Sequence, residues 1–396
     1  MRIAVATLLF LSLSASAQTF EQSTFLRIHE HSMSARGAAM GGASDALADD
    51  VSDLAANPAL SASLKNASFA ISAAQSQYDT PPWFWDAREE RTAESLAHAS
   101  VAIPLRNVVI GAYYRDNPRV EYNRVSPEGG LQPYTLACGG DDCSYFVGVN
   151  AVAFDRRERS YGVTAAFDLG ALSMGAGLER QDLNEAWDQL MIVPNTNRSD
   201  LLMRRMSGTA LVPNAGLRWR VSPRVALAAA YKGSGEFDYS DDTCIVDTST
   251  ATCTSAHVPV GRAQVRRADS YRASIAVRPV DGLALTAEGV RTNYTRSDEP
   301  EQALGVQSAI FPHRNPTELH LGAEYRLPRL PISLRAGWWR EESKWEYSFF
   351  NIEGATDHRT IGAGIDVGPA RIDVAYDDAN TPSLRRAVVG VTWTGQ

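Results

Sequence analysis

The sequence predicts an all-β chain: a transmembrane antiparallel β-barrel of about fourteen strands, with a small N-terminal segment stoppering the lumen. Three observations predict it. From residue 66 onward, stretches of apolar–polar alternation recur, as in strands with one dry and one wet face. The connections between them are alternately short and long, as when hairpins are short on one side of a membrane and long on the other. The mean hydropathy of −0.23 is too low for a helical membrane bundle, and after Leu13 no run approaches the roughly 18 to 20 apolar residues a spanning helix needs.

The first element is an export signal. Arg2, an apolar run from Ile3 to Leu13 and the sequence Ala15-Ser16-Ala17 place cleavage after residue 17. Residues 18–65 follow as a plug and residues 66–396 as the barrel. Within the plug, residues 34–61 are small, acidic and broken by Gly37, Gly41 and Gly42, too poor in bulk to build a core of their own. Such a segment must pack inside something else.

The segment carries Arg36-Gly37-Ala38, Met40-Gly41-Gly42-Ala43, Ala46-Leu47-Ala48-Asp49-Asp50, Ser52 and Asn57-Pro58-Ala59. In these residues it resembles the N-terminal hatch of the FadL/TodX family of outer-membrane long-chain fatty acid and hydrocarbon transporters. It departs from that pattern at Ala39, Ser44, Ala55-Ala56 and Leu60. The resemblance implies a fourteen-stranded barrel in the bacterial outer membrane, acting as a monomer on a hydrophobic, fatty acid-like cargo that leaves sideways into membrane lipid.

Along the barrel, short connections fall at residues 104–107, 169–171, 222–224, 279–282, 327–331 and 368–369. Long ones are expected at 79–91, 123–159, 184–205, 240–267, 297–315 and 348–356. Ile372, Val374 and Tyr376 oppose Arg371, Asp373 and Asp377, and Leu319, Leu321, Ala323 and Tyr325 oppose Glu318, His320, Glu324 and Arg326. Tyr271, Ala273, Ile275 and Val277 oppose Arg272, Ser274 and Arg278, and the last strand presents Ala387, Val389, Val391 and Trp393 on one face. Each alternation states which face meets which solvent. Trp83, Trp85, Tyr113, Tyr114, Trp338, Trp345 and Tyr347 are candidates for an aromatic girdle at the membrane surfaces.

Cys138 and Cys143, and Cys244 and Cys253, form two close pairs in an exported chain, which favours two loop disulfides. A zinc site completed by His257 or an Asp is the alternative. His29-Glu30-His31 is either a metal-binding cluster or a solvated tail, and Asp141-Asp142 and Asp241-Asp242 follow no calcium-loop spacing. No nucleophile elbow, zinc-protease helix or phosphate loop occurs, so neither enzyme activity nor a cofactor is expected. The net charge of −8, with no basic face, argues against nucleic acid.

The third long connection is unusually apolar. Trp187, Leu190, Met191, Ile192, Leu201, Leu202 and Met203 would make a binding surface, with Arg204 holding a carboxylate head, or would simply pack over the barrel mouth. By resemblance, this connection stands where the family makes its first landing groove. The inward faces carry Arg218, Arg272, Glu288, Glu318, Glu324, Arg326, Arg335 and Arg371, which either brace the interior or line a wet pore. Hydrophobic uptake leads the functional reading; a structural or secretion accessory barrel and a hydrophilic porin are the alternatives.

Overall fold

Each barrel strand pairs antiparallel with its sequence neighbours, and the last returns to the first. The structure is a computed structural model that describes residue 32 and residues 34–47, 51–80, 89–117, 120–125, 133–138, 141–146, 148–192, 198–247, 252–253, 258–296, 314–342, 355–379 and 384–395. The wall comprises β1 Ser68–Thr80, β2 Glu89–Leu105, β3 in two stretches (Val108–Asp116 and Val120–Val125), β4 Gly148–Asp168, β5 Leu172–Ile192 and β6 Arg198–Ser222. It continues through β7 (Val225–Lys232 and Glu236–Asp247), β8 (Val258–Arg266 and Ser270–Val280), β9 Leu283–Thr292, β10 Thr317–Arg326 and β11 Ile332–Glu341. The last three strands are β12 Thr356–Val367, β13 Ala370–Ala379 and β14 Leu384–Thr394, so the count is fourteen. Ser68 pairs with Thr394 and Tyr78 with Leu384, which closes the cylinder.

Closure joins the first strand to the last, and the wall then has two faces to satisfy. The outer one is apolar: Leu321, Leu334, Ile361, Val374, Val389 and their neighbours stand exposed, while Thr286, Glu288, Arg335, Asp373 and Asp377, on the inner face, are buried. The alternations read from sequence in β8, β10, β13 and β14 all fall on the expected faces. Strands β9 to β14 are 10 to 12 residues long, the length needed to cross hydrocarbon.

The short connections lie where the sequence places them, at one end of the barrel. Several of the long ones are shorter than expected, because much of their sequence is strand. Residues 184–192 and 198–205 continue β5 and β6 as a paired ladder, so strands β4, β5 and β6 reach 21, 21 and 25 residues. At about 3.3 Å per residue they run roughly 35 to 45 Å beyond a membrane-spanning length. Residues 240–247 and 258–266 extend β7 and β8 in the same way, and residues 133–138 and 141–146 form a separate hairpin. Tyr113 is a second correction. It points into the lumen, where its hydroxyl donates to Glu179 at 2.7 Å and accepts from Asn214 at 3.1 Å, so it is no part of a girdle. Tyr114 and Trp338 take the outward alternation, and Trp83, Trp85, Trp345 and Tyr347 lie outside the described residues.

Residues 34–47 and 51–62 sit inside the ring, nearly all of them buried. Ser34 caps a five-residue helix, Ala35–Ala39, by accepting from the Gly37 amide at 3.0 Å. Gly41 (φ 64°) and Gly42 (φ 83°) then turn the chain through left-handed backbone, and the Gly42 amide reaches back to the Gly37 carbonyl at 2.9 Å. Asp53 ties the two halves together, accepting from Ser44 at 2.6 Å and from Ser34 and Ser32 at 3.2 Å. Asn57 caps the 3-10 helix Pro58–Ser63 by accepting from the Ala59 amide. Asp49 and Asp50 lie outside the described residues.

The wall meets this small-residue segment with glycine and with charge. A Cβ on Gly322 would lie 2.7 Å from the Met40 carbonyl oxygen, and one on Gly175 would lie 2.5 Å from the Pro58 carbonyl carbon, so only glycine admits such approach. Arg36 of the segment donates twice to Glu324 at 2.9 Å; Glu324 also accepts from Arg335 at 2.6 Å, and Arg335 donates to Asp373 at 2.7 Å. Arg218 donates to the Ala46 carbonyl, Thr360 to Ala39, Ser100 to Val51 and Arg386 to Ser32. The inward charges read from sequence therefore include the groups that hold the segment.

Two outcomes follow from this packing. Ile361, exposed on the outer face of β12, should not tolerate charge: Ile361→Arg is expected to cost about 2–4 kcal/mol in urea unfolding from vesicles, and a negligible cost would place it outside hydrocarbon. Glu324→Gln removes the carboxylate shared by Arg36 and Arg335. Breaking such a buried pair costs about 3 kcal/mol, so protease in proteoliposomes should reach the N-terminal segment faster while the wall's melting temperature changes little.

Candidate functional site

Where the segment fails to fill the ring, clefts remain. One narrow cleft, with room for little more than water, is lined by Gly42, Ser44, Asp45, Ser52, Asp53, Ala55 and Ala56 of the segment and by His98, Arg115 and Arg272 of the wall. His98 and Arg115 also mark where the wall changes. The β2–β3 ladder runs from Leu105–Val108 to His98–Arg115 and ends there, although β2 goes on pairing with β1 as far as Glu89–Thr80. Above the break, the Val120–Val125 half of β3 pairs with β4, and the Asn117 amide donates to the Glu158 carbonyl of β4 at 3.0 Å. Among the described residues the cleft thus meets the wall at a seam that lacks ladder bonds.

Further along the lumen, away from the short turns, the lining changes character in layers. Beside the cleft, Glu179 accepts from Tyr113, from Gln181 at 2.8 Å and from Lys232 at 2.9 Å, a brace spanning β3, β5 and β7. Next comes an apolar cluster of Leu183, Met206, Ala210, Val212, Phe237, Tyr239 and Val265. Arg267 closes it from the side, its guanidinium 5.7 Å from the Phe237 ring centre and 2.8 Å from Glu158. Beyond this lie the paired ends of β5 and β6.

Those ends carry the residues expected in a landing loop. Trp187 stands opposite Arg204, Leu190 opposite Leu201, Met191 opposite Asp200 and Ile192 opposite Ser199, while Leu202 and Met203 face Gln189 and Asp188. The apolar set therefore sits on paired strand, flanked by β4 on one side and β7 on the other, rather than in an irregular loop. The cysteines also fall on ladders, each pair on adjacent strands and out of register. Cys143 is opposite Leu136 and Cys138 opposite Asp141; Cys253 is opposite Val246 and Cys244 opposite Leu201. His29, His31 and His257 lie outside the described residues.

A second narrow cleft touches the other side of the Gly41-Gly42 turn, among Ala38, His320, Trp339, Asp377 and Arg386. Here β10, β11 and β12 bring His320, Trp339 and His358 directly side by side. The rings stack, with centres 5.4 Å apart for His320 and Trp339 and 3.7 Å apart for Trp339 and His358. His320 Nδ1 lies 2.6 Å from the Gly41 carbonyl oxygen and so carries the proton, while His358 Nδ1 lies 3.0 Å from Asp377. Sequence reading assigned His320 to the inner face but missed the stack, since only cross-strand register brings the three rings together.

No family model matches the chain, and no curated protein matches it. Solved structures do. A FadL homologue of Pseudomonas aeruginosa is 13% identical, with 91% of this chain and 98% of that chain covered and a TM-score of 0.66. The Ralstonia pickettii toluene transporter TbuX is 14% identical over 92% and 99%, with a TM-score of 0.59. The Pseudomonas putida toluene transporter TodX is 13% identical over 91% and 97%, with a TM-score of 0.58. At such identities the likeness is one of fold, and over nearly its whole length this chain has the fold of the fourteen-stranded FadL- and TodX-type transport barrels.

Proposed function

We propose that this chain sits in a bacterial outer membrane and takes up hydrophobic small molecules passively, releasing them sideways through the β2–β3 seam. The observation that carries the reading is the meeting of cleft and seam at His98 and Arg115. A hydrophobic molecule gains nothing by crossing a wet lumen, whereas a side exit delivers it to hydrocarbon. The likeness to toluene transporters supports an apolar cargo.

The route begins on the β5–β6 hairpin, where Trp187, Leu190, Met191, Ile192, Leu201, Leu202 and Met203 offer adaptable apolar contacts and Arg204 a cation. It passes the Leu183–Phe237–Val265 cluster and reaches the cleft over the N-terminal segment, which acts as the hatch. The cleft lining mixes Arg115, Arg272 and His98 with alanine, which suits a cargo with a polar end on an apolar body, the fatty acid type, as well as a plain hydrocarbon. No cofactor takes part, and one barrel suffices. The charged lumen favours a second reading, a hydrophilic pore, but its Arg36–Glu324–Arg335–Asp373 chain spends those charges on holding the hatch.

Two variants test the route. Ala56 lines the cleft and is only half-buried, so Ala56→Trp should fill the cleft and lower uptake of a labelled long-chain fatty acid or toluene severalfold in cells lacking other carriers; unchanged uptake would remove the cleft from the path. Trp187→Ala with Leu190→Ala should weaken alkyl-chain binding by about 2 kcal/mol, roughly thirtyfold, if these residues form the landing surface, and hardly at all if they only close the mouth.

A further inference from the structure

The end of the barrel with the short turns has a charge opposite to that of the whole chain. The described turns carry Lys65, Arg106, Arg224 and Arg329 against one carboxylate, Asp281, although the chain's net charge is −8. Lys65 lies 3.8 Å from Asp168, but the exposed side chains of Arg106, Arg224 and Arg329 meet no counter-charge among the described residues.

Two of these arginines occupy costly backbone. Three turns place glycine in left-handed conformation, at Gly170 (φ 88°), Gly282 (φ 82°) and Gly368 (φ 60°), while Arg106 (φ 55°) and Arg329 (φ 76°) take the same region with a full side chain. Glycine would serve those two turns without strain, so what arginine adds there is its charge. The outer wall just inside the rim carries Trp219, Tyr325 and Trp393, exposed aromatics of the kind that settle at a membrane–water boundary. Their position puts the turns at headgroup depth.

The arrangement around the ring argues for the partner. Arg106, Arg224 and Arg329 belong to the β2–β3, β6–β7 and β10–β11 turns, four, four and six strands apart around the circumference. A protein docking on one side would meet one of them, whereas lipids surrounding the barrel meet all three.

We propose that this rim binds the phosphate headgroups of anionic phospholipids in the leaflet at the turn end. The proposal rests on the membrane placement given above but not on any cargo. Brominated lipids report it in the full chain, because bound bromine quenches the rim tryptophans Trp219 and Trp393. Brominated phosphatidylglycerol is expected to displace phosphatidylcholine with about threefold preference at low salt, falling towards parity in high salt.

The triple variant Arg106→Gln, Arg224→Gln, Arg329→Gln should lose the preference, and the corresponding Lys variant should keep it. Heat-modifiable gel mobility confirms that each variant barrel is folded. Parity in the unmodified chain, or an unchanged preference in the Gln variant, overturns the proposal. So does abolition of the preference by inorganic phosphate at an ionic strength at which chloride leaves it intact, which would assign the rim to free phosphate. Uptake of labelled cargo by the Gln variant is scored separately, so a chain that transports nothing still passes or fails on lipid.

Discussion

A wall that must present hydrocarbon-compatible side chains outward has only its inner face for polar chemistry, and the architecture of this chain follows from that constraint. Ring closure through β1 and β14 joins the first strand to the last, and the period of two then turns Glu288, Glu324, Arg335, Asp373 and Asp377 into the lumen. An empty lumen of that composition would be a wide aqueous hole. The N-terminal segment occupies it by matching, residue against residue, what the inner face offers: Pro58-Ala59 against Gly175, Met40 against Gly322, Gly41 against Gly337, Arg36 against Glu324, and backbone carbonyls against Arg218, His320 and Thr360.

The grip is uneven. On the β10–β14 side, the segment is held by a chain of ion pairs and by the carbonyl of the Gly41-Gly42 turn on His320, itself fixed by stacking on Trp339. On the opposite side, Pro58–Ser63 packs on β4, β5 and β6 with fewer polar ties. Between these anchors lies the cleft at His98 and Arg115, where the wall also gives up its ladder.

Much of this was legible in the sequence, because the lipid-facing requirement writes itself into alternate residues. Ile372, Val374 and Tyr376, or Leu319 and Leu321, announce their face without any alignment, and so do the tight turns at Gly170, Gly282 and Gly368. The signal fades where strands leave the hydrocarbon. In residues 184–192 and 198–206 the run Leu190-Met191-Ile192 breaks the alternation, and paired strand passes for apolar loop. Tyr113 was misplaced because an aromatic near a strand end looks the same whether it anchors in a membrane or hydrogen-bonds to Glu179. Pairings across the ring, such as Arg36 with Glu324, have no local signature at all, although glycines inside β10 and β11 mark where another backbone comes close.

Amide hydrogen exchange over residues 34–64, in the lipid-embedded protein, measures the seating of the N-terminal segment most directly. Burial within a closed polar-lined ring predicts protection approaching that of the spanning strands, with the weakest protection around residues 42–56. Exchange of the whole segment as fast as an exposed terminus, alongside protected strands, would contradict the account.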